Sequence, residues 1–147
     1  MTSAYSRALN YLGYRARTVA EIQEYLRRKN YLEEEIQAAI SRLLKLKFLD
    51  DHLAASAWLD ARLATRPIGR KIAAWELKKR GIAQDVIEEV LSQFFQDDAE
   101  FQAALDLFNK AKTPPERNKF LRRLYSRGFT RQTIEKVDIH IFGRTDA

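Results

Sequence analysis

The chain has 147 residues, 46% hydrophobic and 31% charged, with 5 Gly and 3 Pro, the balance of a folded globular protein rather than a disordered one. It contains no Cys, which excludes a disulfide framework and thiol chemistry and fits a reducing compartment, so a cytoplasmic location is expected. A net charge of +6 favours polyanionic partners, and no apolar run is long enough for a membrane span.

The charge is uneven. Residues 1–50 carry 9 basic and 6 acidic side chains, residues 51–98 carry 7 and 8, and residues 99–147 carry 10 and 6. Positive potential is therefore expected towards the two ends of the chain.

Taken in order, Ala4 to Tyr14 reads as a helix with Ala4, Ala8, Leu9 and Leu12 inward. Thr18-Val19-Ala20-Glu21 has the spacing of a capping box, and a second helix follows to about Lys29. Asn30 is suited to a left-handed residue at that helix end. A third helix is expected over roughly Glu33 to Leu46, with Ile36, Ala39, Ile40, Leu43 and Leu44 inward. Its Glu33-Glu34-Glu35 start and its Lys45 and Lys47 end complement the helix dipole.

Phe48 and Leu49 read as an apolar plug, and Asp50 or Asp51 as the cap of a fourth helix. That helix would bury Leu53, Ala54, Ala57, Trp58 and Ala61 and end at Arg62 to Arg66. Pro67 suits the start of a fifth helix, which carries Ile68, Ile72 and Leu77 and stops at Gly81. A sixth runs from about Gln84 to Phe95, and Asp97-Asp98 can open a seventh that ends at Lys110-Ala111-Lys112. Thr113-Pro114-Pro115-Glu116 reads as a capping box for an eighth helix, which ends at Gly128. A ninth starts near Thr130 and carries Ile134, Val137 and Ile141.

One pattern occurs three times. Leu26, Leu77 and Leu124 each lie four residues before a turn residue, Asn30, Gly81 or Gly128. Tyr31, Ile82 or Phe129 follows the turn, and Ile36, Ile87 or Ile134 lies five residues further on. Such spacing is the mark of a repeat architecture. The expected fold is all-α, with three tandem three-helix repeats at 1–49, 50–96 and 97–147 forming an elongated, curved array.

Little in the chain points to catalysis. Two His, His52 and His140, lie far apart, and metal-binding, nucleotide-loop and zinc-finger spacings are absent. The reading is a non-enzyme without metal or cofactor. The aromatic residues mostly keep helical spacing with Leu and Ile; Trp75 fits the inner face least well, and an exposed Trp there would suit a protein partner.

The functional signal is basic. Arg15 and Arg17 flank a connection, Arg27-Arg28-Lys29 and Lys78-Lys79-Arg80 end two helices, and Arg122, Arg123 and Arg127 end another. Cations at helix ends are ordinary, but their recurrence at equivalent repeat positions suggests a stripe that tracks a regular polyanion or a helical protein polymer. Phosphate contacts of this kind would be neutral to sequence.

Three segments together resemble the RecX family, modulators of the RecA recombinase. They are Arg15-Ala16-Arg17-Thr18 with Glu21-Ile22, then Leu49-Asp50-Asp51, then Gly69 through Ile72, Glu76, Leu77, Arg80 and Gly81 to Ile82. The resemblance covers about residues 4–142, with Asn30 standing where the family usually has Gly. It implies three tandem three-helix repeats that bind the groove of the RecA filament on DNA; separately, the protein is expected to be a monomer. The resemblance further implies restraint of RecA's ATPase, strand-exchange and coprotease activities. The alternative is a sequence-nonspecific nucleic-acid-binding helical protein acting without RecA. Arg15, Arg17, Lys78, Arg80, Arg122 and Arg127 are the expected contacts with filament or DNA, with direct nucleic-acid contact weak. Glu21, Asp50, Asp51, Gly69, Glu76, Leu77, Gly81 and Gly128 are the expected structural motif residues.

Overall fold

A computed structural model describes residues 2–96 and 98–143, which form nine α-helices and no strand. In chain order these are α1 (Ala4–Leu12), α2 (Val19–Arg28), α3 (Glu33–Lys45), α4 (Asp51–Thr65), α5 (Arg70–Lys79), α6 (Gln84–Phe94), α7 (Ala99–Lys110), α8 (Arg117–Ser126) and α9 (Arg131–Phe142). The helices belong to two compact units. The first contains the described residues up to Trp58 together with Leu77–Ile87; the second contains Leu59–Glu76 and the described residues from Glu88 onwards.

In the first unit, the apolar stripes of α1, α2 and α3 close one core. Ala8, Ile22, Leu26, Ile36 and Leu43 are fully buried in it. The expected capping box forms at the start of α2: the Glu21 N–H donates to the Thr18 hydroxyl (3.1 Å), and the Thr18 N–H donates to Glu21 Oε1 (2.9 Å). In the second unit, Ala104, Leu107, Phe120, Leu124, Phe129 and Val137 form the core. Phe108 meets Phe120 and Phe142 edge-on there. Arg117 holds Asp138 through two bonds, of 2.7 and 2.6 Å, tying α8 to α9.

The threefold sequence pattern is a repeated helix ending. Asn30, Gly81 and Gly128 all have positive φ, at 67°, 82° and 85°. After each, the N–H of Tyr31, Ile82 or Phe129 donates back to the carbonyl of Leu26, Leu77 or Leu124. The turn residue's own N–H donates to the carbonyl of Arg27, Lys78 or Tyr125. These two bonds define the Schellman ending, in which a left-handed residue lets the chain reverse and an apolar residue seal the last turn. All three leucines are fully buried. Lys47 (φ 63°) makes a fourth such ending after α3, where the sequence gives no glycine or asparagine to mark it.

Several expectations are corrected. On α4 the buried positions are Ala54, Ala55 and Leu59, while Leu53, Ala57 and Ala61 are exposed. Alanines lie on both sides of this helix, so the apolar pattern leaves its inner face ambiguous by about one residue. Leu44 and Phe48 are also exposed; the reversal at Lys47 turns Phe48 outward and brings Leu49 in instead. The Thr113 capping box does not form. Residues 111–116 lie outside any helix, and α8 starts at Arg117 with Glu116 extended at φ −67° and ψ 142°. Two consecutive prolines bias the residues before them away from the helical region, which delays the start. Pro67 does not open α5 either: Ile68 and Gly69 follow it outside the helix, the Gly69 N–H donates to the Arg127 carbonyl, and α5 begins at Arg70. Asp98 makes no capping bond to α7 and pairs with Lys136 at 2.9 Å; Asp97 lies outside the described residues.

Adjacent carboxylates divide their work. Asp50 Oδ1 caps α4, accepting from the N–H groups of His52 (2.9 Å) and Leu53 (3.2 Å). Asp51 turns the other way and accepts the Val19 N–H at the start of α2 (2.8 Å). Burial raises the Asp51 carboxyl above its ordinary value; the Val19 N–H works against that, and the Asp50 and Glu21 charges add to it. A raised carboxyl is held more tightly by a proton in the folded state than in the unfolded chain. Stability therefore falls as pH climbs from the ordinary Asp range through the folded value, and is lower at neutral pH than this bond alone would give. Asp51→Asn keeps an oxygen for Val19 and removes the charge. It is expected to match or exceed the parent in urea unfolding at about pH 7 and to lose any advantage at about pH 3. Asp51→Ala, which orphans the N–H, should lose about 1 kcal/mol at both. An Asn variant weaker than the parent at neutral pH would count against this account.

Candidate partner and polyanion interface

The basic side chains singled out in the sequence meet different fates. In the first unit, Arg15 is exposed, while Arg17 lies with its guanidinium 4.1 Å above the ring of Tyr11. Tyr11 stacks in turn on Tyr25, with centroids 3.8 Å apart and planes within 4°, and the Lys29 ammonium lies 5.7 Å from the Tyr25 ring. Arg17 is thus anchored by packing along its flat face, and its Nε is buried without a hydrogen-bond partner among the described residues. Lys78 is exposed at the end of α5.

Arg80 is only about 25% exposed, because it serves a joint. Its guanidinium faces Glu21 Oε2 at 3.5 Å and the Trp58 ring at 5.1 Å, and its carbonyl accepts the Thr18 hydroxyl at 2.9 Å. The start of α2 therefore docks on the end of α5. Gly81 is the contact point: a Cβ there would lie 2.4 Å from the Ala20 Cβ. An opening of about 460 Å³ borders this joint, and its charges are mixed, with Arg28, Lys79 and Arg80 beside Glu21 and Glu24.

The second unit repeats the joint with other chemistry. The Gly69 N–H donates to the Arg127 carbonyl (2.8 Å) and the Lys71 N–H to the Gly128 carbonyl (3.0 Å), so the start of α5 docks on the end of α8. A Cβ on Gly69 would fall 2.3 Å from the Phe129 backbone, and one on Gly128 would fall 2.5 Å from the Ile72 nitrogen. Glu100, on α7, closes the joint. It is 7% exposed; its Oε2 accepts the Arg70 N–H (2.7 Å), and its Oε1 accepts the N–H (3.0 Å) and the hydroxyl (2.6 Å) of Thr130. Glu100 thus does for α5 what Asp51 does for α2. Glu76, on α5, pairs with Arg62 at 3.5 Å, a structural role, and Leu77 is fully buried.

Arg122 and Arg127, close in sequence, face different openings. Arg122 lies with Lys71 and Arg131 around a groove of about 470 Å³ whose apolar surface comes from Leu121, Tyr125 and Ile134. Arg127 lines a pocket of about 290 Å³ together with Arg66, Lys110 and Arg123. Burial lowers the Arg127 guanidinium below its ordinary value, and the charges of Arg123, Arg66 and Arg62 lower it further. Of these neighbours, Arg62, Arg66 and Lys110 carry no mark in the sequence beyond being cations at helix ends. Their convergence needs α4, α7 and α8 brought side by side. Trp75 is 56% exposed on α5.

Among the described residues, no three His, Asp or Glu side chains gather as a metal-holding group, and no helix is long and apolar enough to cross a membrane. His140 packs edge-on against Phe101.

Comparison with known proteins gives a consistent family. Residues 4–43 match the family model described as RecX, first three-helix domain, and residues 50–91 match RecX, second three-helix domain. A protein of Prosthecochloris aestuarii named Regulatory protein RecX is 33% identical over 136 residues, covering 91% of this chain and 90% of that protein. A Regulatory protein RecX of Halalkalibacterium halodurans is 30% identical over 139 residues, and there this chain spans 52% of the relative's length. The crystal structure of RecX from Lactobacillus salivarius superimposes with a TM-score of 0.80 at 26% identity, covering 96% of each chain. The motifs, the helix order and these similarities agree, and the chain belongs to the RecX family.

Proposed function

We propose that this chain is a non-enzymatic modulator that binds the RecA nucleoprotein filament in the cytoplasm and restrains its ATPase, strand-exchange and coprotease activities. The observation that carries the reading is the 33% identity, over 91% of the chain, to a protein named as a RecX regulator. Three repeats, at 1–49, 50–96 and 97–147, would present Arg15, Arg17, Lys78, Arg80, Arg122 and Arg127 to the filament, with the protein acting as a monomer. Of these, Arg15, Lys78 and Arg122 are the most exposed and are suited to outward contact; Arg17 and Arg80 are held by aromatic rings and contribute through the shape they fix.

The test is ATP turnover by RecA on single-stranded DNA during titration with this protein. Turnover should fall at stoichiometric amounts, and Arg122→Gln with Lys78→Gln should raise the amount required about tenfold with little change in thermal unfolding. Unchanged turnover at excess protein would end the reading. A second reading, sequence-nonspecific nucleic-acid binding without RecA, is favoured by the four cations that line the pocket at Arg127. It requires DNA binding by the protein alone, weakening steeply as salt rises.

A further inference from the structure

We propose that Arg66, Lys110, Arg123 and Arg127 form a phosphate-binding pocket that grips single phosphate groups of a nucleic-acid backbone. The inference deepens the second reading above, nucleic-acid binding without RecA, and rests on it; it names the residues that would hold the phosphate. Its four cations come from the C-terminal ends of three helices, α4, α7 and α8. No acidic side chain lines the pocket, and none of the four makes an ion pair among the described residues. The nearby Arg62 is different: Glu76 neutralises it, and its Nη1 is bonded to the Arg66 carbonyl at 3.1 Å. The opening in the first unit contrasts as well, since Glu21 and Glu24 stand among its cations.

Like charges so placed repel one another, and the arrangement is relieved by an anion among them. A pocket of about 290 Å³ admits a phosphate group. Guanidinium groups match its oxygens with paired N–H donors, so arginines are better suited than lysines to a fixed phosphate. The remaining walls are Thr65, Pro67, Leu107 and Ala111. No aromatic side chain is present to stack a base, so the pocket reads the phosphate and leaves the base unread. Arg127 itself is partly withdrawn from solvent, and burial together with its arginine neighbours disfavours its charge. A bound phosphate would reverse that penalty.

The test uses the full chain without RecA and two probes, a labelled oligothymidylate and inorganic tripolyphosphate. Arg123→Gln with Arg127→Gln is compared with Lys45→Gln with Lys47→Gln, the same charge change on exposed residues of the first unit that do not line the pocket. The pocket variant should weaken oligothymidylate binding about tenfold or more, and the control about twofold or less. The slope of log affinity against log salt should fall by about 1.4 in the pocket variant, the share of two phosphate contacts on a single strand. Equal losses in the two variants would overturn the proposal, as would no loss in either. Tripolyphosphate binding that depends on the pocket, with oligothymidylate indifferent to it, would overturn the nucleic-acid assignment and point to a free polyphosphate ligand. Arg66→Gln with Lys110→Gln, both exposed, repeats the test should the first variant unfold. Because RecA is absent, failure here leaves the ATPase assay to decide the filament reading by itself.

Discussion

Gly128→Ala is expected to be among the most destabilising single changes in this chain, lowering stability by about 3 kcal/mol or more. Two effects add. At φ 85° any Cβ crowds its own backbone, which accounts for about 1 to 2 kcal/mol. The new methyl would also fall 2.2 Å from Ile72 Cγ1 and 2.5 Å from the Ile72 nitrogen. A side chain can swing aside, but the nitrogen belongs to the first turn of α5, which is pinned by the Gly69 bond to Arg127 and the Lys71 bond to Gly128. Relief therefore means breaking the joint. Gly81→Ala offers a matched comparison. It has nearly the same φ, but the obstructing atom is the Ala20 Cβ, with no backbone atom nearer than 3.9 Å. Adding Ala20→Gly should restore part of the stability lost in Gly81→Ala, whereas Ile72→Ala should restore little in Gly128→Ala. Urea unfolding of the four variants checks this. Full rescue of Gly128→Ala by Ile72→Ala would show that the contact is with a side chain only.

Glu100→Gln is expected to be nearly as damaging as Glu100→Ala, each removing about 3 kcal/mol or more. The isosteric change is harmful because both carboxylate oxygens are acceptors here. Oε2 takes the Arg70 N–H, and Oε1 takes the Thr130 N–H and hydroxyl. An amide must set its NH2 against one of these donors, leaving a buried N–H facing another N–H. Removing a partner in a buried site exposes the full penalty of the group left behind, about 1 to 3 kcal/mol for each. Thermal unfolding and amide exchange at Arg70 and Thr130 provide the measurement. Exchange should accelerate at both in the Ala variant, and at one or the other in the Gln variant. A Gln variant as stable as the parent would show that one of these bonds contributes nothing.

The joints explain why a short stretch such as Gly69 to Gly81 stands out in the sequence. Gly69 gives no room for a side chain beside the Phe129 backbone, and Gly81 meets Ala20. These are packing constraints between helix ends. They are not signs of base-reading chemistry, although helix, glycine turn and helix together resemble a DNA-reading motif.

Much of the fold is legible along the chain because it is set by local rules. The Leu, turn residue and apolar residue at 26, 30 and 31, at 77, 81 and 82, and at 124, 128 and 129 specify a Schellman ending each time. The positive φ values and back-bonds follow from those residue types. The Thr18 box, the apolar stripes of α2 and α3 and the all-α class are local in the same sense. Local rules fail where two faces compete or two prolines intervene, as on α4 and before α8.

The candidate site was legible only as a list of cations. Sequence alone determined that the chain is helical, repeated and basic at its helix ends, because periodicity, caps and charge are properties of neighbouring residues. Tertiary structure decided which of those cations meet. It gave Arg80 to Glu21 and Trp58, set Arg122 apart from Arg127, and gathered Arg66, Lys110 and Arg123 around Arg127. It also made Glu100, an unremarked acid in a first turn, the partner of Arg70 and Thr130, 30 residues away on either side. The physical reason is that a charge's worth depends on what surrounds it, and those surroundings come from helices distant in sequence.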